Sequence, residues 1–282
     1  MMQLFHNASN KCSRVITMEY STSFGAAIKL LHAHIRPSIY NIYGFVRLAD
    51  EIVDSFHEFK KEELLHDFKT QTFKAIEEKI SLNPILHSFQ QAVNQHGIDH
   101  ALIHAFFNSM EMDLHRTQYN VQEYQTYIYG SAEVVGLMCL YVFCEGDKKM
   151  FAELQPFARS LGAAFQKINF LRDIQADYMG LNRLYFPDVD FENFTQQMKT
   201  RVETEVAADL QQAYEGICQL PDSARYGVLL AYKYYFSLFK KIQRTQPTSL
   251  LTRRMRVPDY QKLLIFFRTG LKYQLRFAHS IF

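Results

Sequence analysis

The residues of this chain best suited to chemistry fall on two polar stripes. In YGFVRLADEIVDS, residues 43–55, Tyr43, Arg47, Asp50 and Asp54 recur at i, i+4, i+7 and i+11, a single line on a helix of 3.6 residues per turn. In GAAFQKINFLRDIQADY, residues 162–178, Gln166, Asn169, Asp173 and Asp177 recur at i, i+3, i+7 and i+11. Each stripe ends in Asp-x-x-x-Asp and has an arginine close by, Arg47 or Arg172. Such an Asp pair is ordinarily a solvated face, where the like charges repel by about 0.2–0.5 kcal/mol. Here the stripes also carry uncharged hydrogen-bonding groups, which gain little from merely facing water. The other faces are apolar, with Phe45, Val46, Ile52 and Val53 in the first stretch and Phe165, Ile168, Phe170 and Leu171 in the second. Mg²⁺ prefers octahedral oxygen ligands and is commonly held by one or two carboxylates plus phosphate oxygens. Two facing carboxylate walls could hold several such ions, bridge them to a diphosphate and stabilise it as a leaving group. Arginines would complete the anion clamp.

These stripes need helices to carry them, and helical patterning dominates the chain. Apolar periodicity predicts helices at about 20–34, 38–57, 60–80, 84–96, 99–115, 122–145, 148–178, 191–219, 223–244 and 259–277. The seven prolines fall near proposed helix starts or in connections, and runs of period-2 alternation are absent. No low-complexity linker divides the 282 residues, so the expected architecture is all-α, one domain over residues 1–282, a helical bundle around a central cavity.

Composition narrows the function classes. A formal net charge of +2 implies no strong field for nucleic acid. The four cysteines form no CxxC pair and read as reduced thiols of an intracellular protein. The strongest apolar run, Val134 to Cys144, is shorter than the ~20 residues a bilayer span needs, and the N-terminus lacks a signal-peptide pattern. The expected location is the cytoplasm, with peripheral contact at the inner membrane face conceivable through the basic run Arg253–Arg256. That run reads more simply as a solvated helix entrance. His96, His100 and His104 share a helical face but lack carboxylate partners, which favours an ordinary histidine row over a metal site.

The stretches STSF (21–24), YGFVRLADEIVD, YIYGSAEVVG (127–136), QKINFLRDIQAD and NRLYFP (182–187) occur in the order seen in the squalene/phytoene synthase family. The chain resembles that family from about residue 20 to 260. The resemblance implies an all-α fold in which two isoprenoid diphosphates are joined head to head, through a cyclopropylcarbinyl diphosphate, to a long hydrocarbon. It implies Mg²⁺, with Mn²⁺ as a substitute, held by Asp50 and Asp54 on one wall and Asp173 and Asp177 on the other. It implies diphosphate contacts from Ser21, Arg47 and Arg172. Tyr43, Tyr127, Gln166 and Asn169 would lie near the reacting atoms, and Tyr235 would be a further substrate contact. Four departures stand out: Glu51 where many members have a second adjacent Asp, Ala176 where a Glu commonly precedes the last Asp, Glu133 where a small residue is usual, and one extra residue between Asp177 and Arg183, which makes Arg183 a weaker match to the family pattern.

The resulting expectation is condensation of two geranylgeranyl diphosphates to phytoene, with two farnesyl diphosphates as the alternative within the class. No nucleotide-binding motif accompanies the stripes, so no NADPH requirement is expected. A non-catalytic relative with an assembly role is the rival of another class, and the four retained aspartates argue against it. A di-metal carboxylate oxidase would need Glu-x-x-His on facing helices. Glu63 with His66 is a lone instance in a charged stretch.

Overall fold

The computed structural model describes residues 2–181, 183–187 and 194–279, except for the side chains of 177–181 and 272–279. Among the described residues the regular elements are all helices, with one isolated bridge pairing Gln118 with Leu184. The helices are α1 (Met2–Tyr20), α2 (Thr22–Ile28), α3 (Arg36–Asp54), α4 (Lys61–Glu78), α5 (Pro84–His96), α6 (His100–His115), α7 (Val121–Ile128), α8 (Val134–Cys144), α9 (Lys148–Leu181), α10 (Gln196–Gln219), α11 (Asp222–Gln243), α12 (Pro247–Thr252) and α13 (Asp259–His279). Side-chain caps set several starts. Ser21 accepts from Phe24 N at α2, Asn83 from Ile85 N at α5, Asp99 from Ala101 N at α6, and Asn120 with Glu123 forms a capping box at α7.

Helix α1 was absent from the predicted elements, and its packing explains why. Its buried positions are Ser9, Ser13 and Thr17, a polar stripe that shows no hydrophobic period. Small residues let α1 lie close on α3 and α5. Ser13 Oγ hydrogen-bonds Ser88 Oγ at 2.7 Å, and a Cβ on Gly44 would come within 2.9 Å of Ser13 Oγ. Asn41 of α3 donates to Asn10 at 2.8 Å, so α1 fixes the helix that carries the first stripe.

Three other elements differ from expectation. The predicted helix 20–34 is only α2, followed by turns before α3 begins at Arg36. Pro156 lies inside α9 rather than near its start. The predicted helix 122–145 contains a π-helical turn at Tyr129–Glu133. The turn brings Gly130 against α6, where a Cβ would meet Ser109 Oγ at 2.1 Å and the Ala105 carbonyl oxygen at 2.3 Å. By length and composition Val121–Cys144 could cross a membrane, yet more than half of its most apolar window is buried. It is a core element packed on α6 and α9. The core also contains an aromatic stack in which Phe45 of α3 lies 3.8 Å from Phe89 of α5, centroid to centroid. His104 stacks on Phe73 at 4.2 Å, which absorbs part of the histidine row into packing.

Candidate active site

Helices α3 and α9 face one cavity of about 460 Å³. From α3 it receives Tyr43, Arg47 and Asp50; from α9, Gln166, Asn169 and Arg172. Ser21, the N-cap of α2, Tyr235 of α11 and Arg254 complete its polar end, with the Phe24 ring of α2 beside Tyr235. The rest of the lining is mainly apolar, including Ile28, Leu31, Leu140, Phe143, Leu154 and Ile217. Residues of both stripes, more than a hundred residues apart in sequence, therefore share one chamber with a charged mouth and an oily interior, while Asp54 and Asp173 are not among its lining residues.

On the α3 wall the charges are poorly balanced. Arg47 is ion-paired with Glu51 and its guanidinium lies 4.4 Å from the Tyr20 ring centroid. Its Nε is buried with no hydrogen-bond partner. Asp50 is pushed up to about 8, first by withdrawal from water and next by Asp54 one turn on. Asp54 is more exposed and accepts from Arg183 Nη1 at 2.9 Å. Glu51 points its carboxylate at Arg47, so in this arrangement it serves the arginine rather than Asp50.

The α9 wall is the better neutralised one. Asp173 accepts from Arg172 Nε at 3.0 Å through Oδ2, and from Arg254 Nε at 2.6 Å through Oδ1. Tyr235 donates to Asn169 Oδ1 at 3.2 Å, and Asn169 Nδ2 lies 3.4 Å from Gln166 Oε1. The Tyr235 ring stacks on Phe165 at 3.9 Å, and Phe24 packs on Phe165, Tyr43 and Tyr235 at 5.7–6.0 Å. Burial pushes Tyr43 up to about 12 and raises Tyr235, so both remain protonated phenols at neutral pH. Asp177 follows Asp173 by one turn on α9, but its side chain lies outside the described residues.

Tyr127 is placed elsewhere. It is buried and donates to Asp113 Oδ2 at 2.7 Å instead of lining the cavity. Asp113 also accepts from Tyr119 and Tyr185 through Oδ1, and its carbonyl accepts from Arg183 Nη2 at 2.9 Å. Burial pushes Asp113 up to about 6, offset in part by the Arg183 guanidinium and the Tyr127 hydroxyl. Arg183 thus spans from this buried cluster to Asp54.

Sequence reasoning missed Arg254 and Asp113 as site residues, and the family resemblance carried Arg183 over only weakly. Arg254 belongs to the basic run read as a solvated entrance, whereas it lines the cavity and holds Asp173. No local spacing signals that contact, because it crosses 81 residues of sequence. Asp113 had no motif around it at all.

Among the described residues no three His, Cys, Asp or Glu side chains form a ready-made cation site. The donor set still fits a hard cation. Asp50 and Asp54 are carboxylates one turn apart on one wall, and burial together with the Asp54 charge raises Asp50, a pairing that a bound cation would favour. Ligands on each wall would come as carboxylate pairs, with the remaining coordination supplied by substrate oxygens and water.

The squalene/phytoene synthase family model matches residues 17–261. A phytoene synthase of Pseudescherichia vulneris is 30% identical over 177 residues, which cover 59% of this chain and 56% of that protein. A 4,4'-diapophytoene synthase of Staphylococcus haemolyticus is 25% identical over 200 residues, 69% of this chain and 67% of that protein. A dehydrosqualene synthase crystal structure superposes with a TM-score of 0.79 at 19% identity, covering 95% of this chain and 98% of that one. With the match spanning the helices that carry both stripes, the chain belongs to the squalene/phytoene synthase family, whose members are head-to-head prenyltransferases.

Proposed function

We propose that this protein condenses two geranylgeranyl diphosphates head to head to phytoene. The observation that carries this reading is the convergence of both Asp-x-x-x-Asp helices on one chamber whose other walls are aliphatic and aromatic. Diphosphate would lie at the charged mouth, and the polyprenyl tails would fill the interior.

The geometry supports the following roles. Arg47, with its unpartnered Nε, and Arg172 would bind diphosphate oxygens. Arg254 would join them once Asp173 turns to another partner. Asp50, Asp54, Asp173 and Asp177 would hold Mg²⁺, which when bound neutralises charge on the departing diphosphate. The Tyr43 and Tyr235 hydroxyls, kept protonated by burial, would donate hydrogen bonds at that end and not act as bases. The faces of Phe24, Phe165 and Tyr235 offer π-density to an allylic cation, and the apolar lining keeps water from quenching it. The diphosphate, held beside the chamber, would accept the proton lost at the end of the reaction.

Labelled C15 and C20 diphosphates, supplied with Mg²⁺ and with or without NADPH, test the reading by the hydrocarbon formed. A C40 product without NADPH is expected. A C30 product would move the protein to farnesyl diphosphate, as the name of the diapophytoene synthase relative would suggest. Absence of both would leave the catalytic reading without support. Asp173→Ala should abolish turnover while the helical content is kept.

A further inference from the structure

Helix α13 has two unlike faces. On its inner side Ile265 and Phe266 pack against Ala27, Leu230, Ala231 and Tyr234, and Thr269 is 1% exposed. On its outer side Tyr260, Leu263, Leu264, Phe267 and Leu271 are 75%, 56%, 47%, 61% and 59% exposed. At 3.6 residues per turn these five fall within an arc of about 100°, opposite Thr269. Single exposed leucines are common on soluble proteins, but five large apolar side chains in one stripe mark a surface that something covers.

The stripe has a basic flank. A cleft of about 710 Å³ between α11 and α13 includes Lys240, Lys241, Arg244 and Arg268 in its lining and no acidic side chain. All four are exposed. The nearby acid, Asp259 at the start of α13, is ion-paired with Lys262 at 3.5 Å.

We propose that the outer face of α13, with this cleft, docks the protein on an anionic phospholipid bilayer. An apolar arc bordered by lysine and arginine is the pattern of a helix lying in the membrane interface. Each cation near such a surface strengthens binding by about fivefold. A second copy of the chain fits less well, because a two-fold pairing of this face would bring one basic cleft towards the other with no acidic surface to match. The cleft takes the lipid phosphates and the stripe enters the acyl boundary.

Docking there would bear on the chemistry, a consequence that rests on the proposed function. Ile265 and Phe266 pack on the same cluster, Ala27, Leu230, Ala231 and Tyr234, as do Phe24 and Phe165, which line the reaction chamber. Lys262 Nζ reaches Thr22 Oγ1 at 3.3 Å, beside Ser21. Helix α13 is therefore the layer between the bilayer and the cavity, placed for prenyl substrate to arrive from lipid and hydrocarbon to return to it.

Vesicle flotation of the full chain tests the docking without using turnover. Phosphatidylcholine vesicles are compared with vesicles in which about a third of the lipid is phosphatidylglycerol. The protein should float with the anionic vesicles and bind neutral ones far more weakly. The pair Leu263→Glu and Phe267→Glu should abolish flotation, and Arg244→Glu with Arg268→Glu should weaken it by at least about fivefold per cation lost. High salt should release most of what binds through charge. These side chains are exposed, so unchanged circular dichroism and Tm will show that the variants are folded. Equal flotation of wild type and Leu263→Glu/Phe267→Glu, or no flotation on anionic vesicles, overturns the proposal. So does a concentration-dependent dimer that the same pair dissolves, which would assign the face to a second copy. Intact docking in a protein that makes no hydrocarbon would overturn the catalytic reading alone.

Discussion

Asp50 should be a site where the ligand-free protein is stabilised by losing the residue it needs. Its carboxyl is pushed from 3.8 to about 8, chiefly by burial and then by Asp54. The folded value is raised, so the favourable state is the protonated one. Stability from this group is fully present below the unfolded value and is lost as pH climbs from about 4 towards 8. At pH 7 the gap is about 3 units at about 1.4 kcal/mol each, a penalty of at most about 4 kcal/mol. Asp50→Asn keeps the shape and removes the titration. Without divalent cation at pH 7 the variant should be more stable by about 1–4 kcal/mol, or about 2–8 °C in Tm at this chain length. The advantage should shrink to near zero by about pH 4, where wild-type Asp50 is neutral as well. Mg²⁺ with inorganic pyrophosphate should reverse the order. Wild type gains about 2.7 kcal/mol at a ligand excess of a hundredfold over Kd, and the variant gains little. Thermal melts across pH, with chelator or with Mg²⁺–pyrophosphate, give all four corners. A variant that is less stable at pH 7 without cation, or a gap that ignores pH, would refute the reasoning about Asp50.

Three further outcomes are expected. Tyr127→Phe removes the 2.7 Å hydrogen bond to Asp113 and should cost about 1–3 kcal/mol of stability, read from the urea midpoint, while kcat changes little. A loss of about a hundredfold in kcat at unchanged stability would restore the catalytic role that the family resemblance implied. Gly130→Ala forces a methyl into the Ala105 carbonyl and should destabilise by about 1–3 kcal/mol, measured the same way. Iodoacetamide should modify exposed Cys12 and Cys218 quickly and leave Cys139 and Cys144, whose thiols burial pushes up to about 12 and about 11; mass spectrometry of the alkylated protein checks this.

The sequence by itself determined the helical class and the two stripes, because a 3.6-residue period is local and survives in the letters. It did not reveal α1, whose buried face is Ser9, Ser13 and Thr17, since packing by small polar residues carries no hydrophobic period. It could not tell that Glu51 faces Arg47, that Tyr127 serves Asp113, or that Arg254 closes on Asp173. Spacing along a helix says which side chains share a face, and it is silent on what faces them across the bundle. Helix α13 makes the same point from outside. Its apolar residues are legible in the sequence, yet only the packing of Ile265, Phe266 and Thr269 against the bundle decided which of them are left bare.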